Sequence, residues 1–258
     1  MLIILSPAKT MDMTEKTVKI QPTTPLFEQD AESLAKVMRQ YSVEELEKLL
    51  KISETLAKEN YQRYQHFDAP DNPAVPAILA YNGSVFKSMN PSAFSEPDFS
   101  YAQDHLRIIS TMYGIVRPLD KIKAYRIAYP LKLKGMGGKS LYDYWQPKLT
   151  APLIKDVRKA GGILVNLASL DVLGSLNMEM LKQEVKVITP EFQEERDGKY
   201  ETIRTYAKLA RGVMTRYILT NRIEKPEQLK EFEWERFRFN EKISESDKFI
   251  FTRKKVDK

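Results

Sequence analysis

The chain has 258 residues and no cysteine. Without a thiol there is no disulfide, thiolate nucleophile, cysteine-ligated zinc or iron–sulfur cluster, so several enzyme classes are excluded together. Imidazole is nearly as scarce. His66 and His105 are the only histidines, they do not form an i, i+4 pair, and no run has the spacing of a calcium loop. A metal would have to be held by carboxylates and water, yet acidic residues such as Glu44 to Glu47 are spread over helix surfaces. No metal site and no cofactor are expected, and direct iron sequestration has little to stand on.

Long apolar runs are also missing. The opening MLIIL gives way at once to Ser6-Pro7, far short of a signal peptide or a membrane span. No low-complexity tract divides the chain, and 42% hydrophobic content suffices for one large core. The expectation is one domain over residues 1–258, cytoplasmic, monomeric and without a membrane partner.

Acidic residues are scarce in two particular stretches. From His105 to Lys139 there are eight Lys or Arg and one Asp, a net +7; from Lys199 to Arg222 there are six against one Glu, a net +5. The whole chain is +6, so the remainder sums to 6 − 12 = −6. Such segregation points to a polyanionic partner.

Apolar patterning predicts a mixed α/β fold. Leu2–Leu5 reads as a buried strand ending in Ser6-Pro7-Ala8-Lys9-Thr10, which puts Lys9 at a strand's carboxyl end. Helices are predicted at 26–41, at 43–50 behind the capping box Ser42 to Glu45, and at 53–67. Ala77–Ala80 reads as a second buried strand, with Tyr81-Asn82-Gly83-Ser84 as a turn at its end. Helical spacing continues from Ser95 to Ile109 and stops near Gly114. The stretch 125–133, broken by Pro130, reads as edge or irregular. A helix over 140–160 ends at Gly161-Gly162, and strand 163–167 leads into Asn166-Leu167-Ala168-Ser169. Asp197-Gly198 marks a hairpin between 185–195 and 199–204, and 236–240 with 248–253 forms another. Polar residues at several strand ends suggest one crevice. The architecture expected is a mixed sheet flanked by helices, with a basic cleft.

The clearest helix runs from about Thr205 to Arg222. At 100° per residue Lys208 and Arg211 lie beside its apolar stripe, with few acidic partners. Gly212 falls off the stripe, where a missing side chain would admit a ligand backbone. The bland reading is a solvated basic face. The turn Ser110-Thr111-Met112-Tyr113-Gly114-Ile115 resembles the hairpin of a helix-hairpin-helix element, whose N–H groups hold a DNA phosphate. Arg107, Arg117 and Arg126 surround it as forked donors, although Arg117 could instead pair with Asp120. Tyr113, Tyr125 or Trp145 could stack on an unpaired base or simply belong to the core.

Through these residues the chain resembles the peroxide-stress resistance protein YaaA family. The matching pieces are LIILSPAKT at the start, YNGSVF from Tyr81, HLRIIS and YGIVRPLD from His105, YR at Tyr125, LYDYW from Leu141, NLAS from Asn166 and AKLARGVMTRYI from Ala207. The resemblance implies a cytosolic protein with one compact mixed α/β fold that binds DNA in a positively charged cleft. It also implies protection of DNA during peroxide stress, associated with lower free iron. By position, the family's polar set falls on Ser6, Lys9, Asn82, Arg107, Ser110, Tyr113, Arg117, Asp120, Arg126, Asn166, Ser169, Lys208, Arg211 and Arg216. The chain departs from the family pattern at Ser84, at Thr111 in place of a second hairpin glycine, at Ala128-Tyr129-Pro130 and at Leu170-Asp171.

The reading that follows is a DNA-binding protein of the peroxide stress response that acts by binding more than by catalysis, with little sequence preference. Lys9, Arg107, Tyr113, Gly114, Arg117, Arg126, Lys208, Arg211 and Arg216 would hold phosphates, and Ser6, Asn82, Ser110, Asn166 and Ser169 would line the cleft. The alternative is an enzyme acting on a nucleobase or nucleotide, with Lys9 as nucleophile or phosphate ligand and Asp120 as base.

Overall fold

Strand β1 (Leu2–Leu5) has no side chain in contact with solvent, which places it at the centre of a sheet covered on both faces. The structure, a computed structural model, describes residues 1–14 and 19–255. After β1 come three helices, α1 (Glu28–Met38), α2 (Val43–Leu50) and α3 (Glu54–Gln65). The expected capping box starts α2: the Glu45 N–H donates to Ser42 Oγ at 3.2 Å and the Ser42 N–H to Glu45 Oε2 at 2.8 Å. Lys51, in left-handed conformation, ends α2, and Ser53 caps α3, so a three-residue link joins two packed helices.

Two expectations then fail, each for its own reason. Ala77–Ala80 is a short helix, α4, behind the two-residue strand β2 (Val75–Pro76), and not a strand. A four-residue apolar run has no distinguishing period, and Pro76 sets the turn. After α5 (Ser84–Met89), helix α6 (Glu96–His105) stops at His105, and Leu106–Ser110 is strand β3. Leu106 and Ile109 fit helical spacing, but the β-branched pair Ile108-Ile109 and the ladder with β1 prevail: Ile3 pairs with Leu106 and Leu5 with Ile108. Strand β4 (Gly114–Val116) folds back antiparallel on β3, with Ser110 opposite Gly114. The turn at 111–113 therefore belongs to a β-hairpin and not to a helix-hairpin-helix element.

Strand β5 (Lys121–Ile122) pairs with β2. The irregular stretch after it leads to α7 (Leu141–Lys159), again opened by a capping box, Ser140 with Asp143. Then follow β6 (Ile163–Asn166), the short helices α8 (Leu170–Leu173) and α9 (Met178–Glu184), and the predicted hairpin β7 (Lys186–Arg196) and β8 (Lys199–Glu201). Asp197 and Gly198 both have positive φ, 50° and 75°, as the tight turn requires. Helix α10 (Arg204–Thr220), α11 (Pro226–Leu229), and strands β9 (Arg238–Phe239) and β10 (Lys248–Lys254) complete the chain.

The main sheet has the order β4-β3-β1-β6-β7-β10-β9, with β8 on β7. Its middle, β3-β1-β6-β7-β10, is parallel, and β4, β8 and β9 are antiparallel additions. One continuous hydrophobic cluster joins sheet and helices, so the chain is a single compact mixed α/β domain.

Candidate functional site

The strand order makes β1 a switch point. The chain leaves β1 for β3 on one side and returns to β6 on the other, so the loops following β1, β3 and β6 diverge and leave a crevice at their carboxyl ends. A cavity of ≈320 Å³ occupies it, lined by Ser6, Lys9, Thr111, Arg126, Tyr142 and Asp171 among others. Ser6 and Ser169 tie two of the loops together: their hydroxyls lie 3.0 Å apart and the Ser169 N–H donates to Ser6 Oγ at 2.8 Å. Lys9 is exposed and Arg126 half-buried, and neither forms an ion pair among the described residues. Tyr129 and Tyr142 stack in its wall, 5.2 Å between centroids and 12° from parallel.

Asn82 and Asn166 shape the loops around this crevice. The Asn82 N–H donates to the Thr10 carbonyl at 2.9 Å and Thr10 Oγ1 to the Asn82 carbonyl at 3.1 Å, which fastens the 81–84 turn to the Lys9 loop. Gly83 sits where a Cβ would come within 2.8 Å of the Ala8 side chain. Asn166 accepts the Ala168 N–H at 3.2 Å and so bends the chain out of β6.

Ser110 and Tyr113 are both buried. Ser110 Oγ accepts the N–H groups of Met112 and Tyr113, at 3.2 and 3.0 Å, so two donors expected to hold a phosphate are satisfied inside the turn. The same hydroxyl is 2.8 Å from the Tyr125 hydroxyl, which is 2.8 Å from that of Tyr81. Burial raises the pKa of Tyr81 and Tyr125 and keeps this network protonated, and it raises that of Tyr113, whose hydroxyl accepts the Lys123 N–H at 3.0 Å. Trp145 donates to the Thr111 carbonyl at 2.9 Å and is fully buried. These rings are core. Gly114, at φ +63°, is also a packing position: a Cβ there would lie 2.8–2.9 Å from Trp145, Leu149 and Phe27.

Three arginines are likewise committed within the fold. Arg107, 6% exposed, donates through Nε to Asp156 at 2.6 Å and through Nη1 to the carbonyls of Gln103 and Leu106. Arg117 pairs with the buried Asp120, whose carboxylate also accepts the Arg117 N–H at 2.8 Å and the Thr23 hydroxyl at 2.6 Å. Arg216 donates to the carbonyls of Met89 and Asn90 and caps α5. Asp120 with Arg107 and Arg117 lines a separate cavity of ≈700 Å³, so the pairing of Lys9 as nucleophile with Asp120 as base does not form.

On α10, Lys208 is exposed, whereas Arg211 is half-buried and burial lowers its pKa against the pull of Glu191. Gly212 is buried, and a Cβ there would overlap the Val85 carbonyl and the Ser88 hydroxyl. Its role is the close crossing of α10 over α5, sealed by Ser88 Oγ donating to the Leu209 carbonyl at 2.9 Å, and not the approach of a ligand. Lys208 lines neither cavity, so Lys9, Arg107 and Lys208 do not share one cleft.

Tyr129, Tyr142 and Asp171 line the crevice in addition to the residues expected there. Asp171 follows the β6 strand end by five positions, and the rule that placed Ser169 in the crevice extends to it. Tyr129 and Tyr142 come from an irregular loop and a helix start, which carry no such signal. Among the described residues no three His, Asp or Glu side chains group as metal ligands, and no helix is long and apolar enough to cross a membrane.

The family model described as peroxide stress protein YaaA matches residues 1–243. The chain is 50% identical over 257 residues to a UPF0246 protein of Bacteroides fragilis, covering 100% of both chains. It is 47% identical over 251 residues to a UPF0246 protein of Bacteroides thetaiotaomicron (97% and 98% covered) and 41% identical over 255 residues to one of Clostridium beijerinckii (98% of each).

Proposed function

The chain belongs to the peroxide stress protein YaaA family, and on that premise we propose that it serves the peroxide stress response by binding DNA, with little regard to sequence, and shielding it from damage. The observation that carries this reading is the switch-point crevice, where Lys9 and Arg126 line one cavity and neither is neutralised by a carboxylate ion pair among the described residues. A lysine and an arginine left unpaired at a strand-end crevice suit a phosphate, the lysine as a point charge and the guanidinium as a fork.

Lys208 and Arg211 on α10 extend the contact along the backbone, the second at a desolvation cost that an incoming phosphate offsets. The helix-hairpin-helix role passes from the 110–115 turn to the pair α2 and α3. Its link residues Lys51 and Ser53 are exposed, which sets a lysine charge in the link that leads into α3. Lys9 acts as a cation. It is exposed, whereas a Schiff-base lysine is activated by a desolvated pocket.

The test is fluorescence anisotropy with several unrelated labelled duplexes. Dissociation constants within about threefold of one another support backbone binding, as does weakening of all of them by Lys9→Ala and Arg126→Ala in similar proportion. Absence of saturable binding at low salt contradicts the proposal. Borohydride trapping of an adduct on abasic DNA, lost in Lys9→Arg, would turn the assignment to catalysis.

A further inference from the structure

Leu170 is 86% exposed, the most exposed large apolar side chain among the described residues, and it stands between Ser169 and Asp171, both of which line the switch-point cavity. A leucine held in water at the lip of a polar crevice contributes nothing to the core. Its neighbourhood fits a different use. The cavity, ≈320 Å³, falls at the small end of ligand pockets. It combines two unpaired cations, a carboxylate and the stacked Tyr129–Tyr142 wall.

Resting on the DNA-binding reading above, we propose that the cavity receives one nucleotide turned out of the duplex and that Leu170 enters the helix as the wedge that fills its place. The chemistry of each part agrees with the assignment. Proteins that open a duplex insert Leu, Ile, Met or Phe between base steps, and a flipped base is read along its pairing edge inside an aromatic or apolar pocket. Here Lys9 and Arg126 hold the flanking phosphates. The Asp171 carboxylate accepts from the exocyclic amine of cytosine or adenine, and Thr111 and the tyrosine wall bound the ring. The cost of unpairing is lowest at a mismatched or damaged base, so the device selects weakened sites without reading sequence.

The probe is a duplex carrying 2-aminopurine opposite a mismatched base, with anisotropy and 2-aminopurine emission read in the same titration. The expected result for the wild-type protein is saturable anisotropy with emission rising several-fold. Leu170→Ala should remove most of the emission rise while weakening affinity about threefold, and Arg126→Ala should weaken both. Leu170→Met, an apolar replacement, should restore the rise. Normal binding with flat emission overturns the wedge, as does a rise that Leu170→Ala leaves unchanged. Calorimetric titration with free dAMP separates the sources: dAMP binding lost in Arg126→Ala, without any binding to duplex, assigns the cavity to a free nucleotide and overturns both the wedge and the DNA-binding reading. Failure to bind either probe overturns the cavity assignment itself.

Discussion

The guanidinium of Arg107 donates through Nε to the Asp156 carboxylate at 2.6 Å, and this bond turns inward a charge that stands in the most basic segment of the chain. Arg107 lies on β3 and Asp156 on α7, so the pair pins the long helix to the sheet.

Arg107→Ala should therefore act on stability and leave DNA affinity within about twofold of the wild type. It leaves Asp156 and two carbonyls without their donor, which costs about 2–4 kcal/mol. Urea denaturation measures the loss, and a large drop in DNA affinity at unchanged stability would contradict the placement.

Gly212→Ala separates two views of α10. In an exposed helix interior the change gains up to about 1 kcal/mol. At the crossing with α5 the added methyl meets the Val85 carbonyl, and overpacking costs about 1–3 kcal/mol. A lowered thermal midpoint is expected, and a raised one would contradict the close crossing.

Legibility in the sequence followed the strength of the local signal. The capping box Ser42 to Glu45 marks the start of α2, Asp197-Gly198 a hairpin, and a long apolar stripe α10. Residues 77–80 carry no period, residues 106–109 continue the helical spacing of α6, and only pairing with β1 settles β3 as strand. The difference matters at the site. With β3 as strand, Ser110 turns inward to its own hairpin, and the supposed phosphate donors become part of the core. Strand-end position placed Ser6, Lys9 and Ser169 in one crevice, because topology there depends on few residues. Tyr129 and Tyr142 reach the same crevice by long-range packing, which no local pattern encodes.

His105 gives the fold a pH dependence. Burial lowers its pKa below 6.5, against the hydrogen bond between Nδ1 and the Met1 carbonyl at 2.8 Å. The unfolded chain binds the proton more readily, so this contribution is complete above pH 6.5 and is lost as pH falls through the depressed folded value. The nearby amino terminus adds to the lowering, while Asp104 and Glu224 oppose it. Urea midpoints taken at about pH 7.5 and 5.5 should differ for the wild type and converge in His105→Gln. An equal difference in both proteins would remove His105 as its source.

Lys208→Ala with Arg211→Ala should weaken binding to unrelated duplexes by similar factors and make the dependence on salt shallower by about one to two units. Circular dichroism should show α10 retained, since neither residue belongs to its buried set. An unchanged slope would identify this face as merely solvated.

The salt dependence of duplex binding tests the central claim most directly. Lys9, Arg126, Lys208 and Arg211 together neutralise about four phosphates, so log K against log salt should fall with a slope of roughly −3 to −4, and Lys9→Ala with Arg126→Ala should bring it to roughly −2. A slope near zero, or one that the crevice variants leave unmoved, would contradict the account.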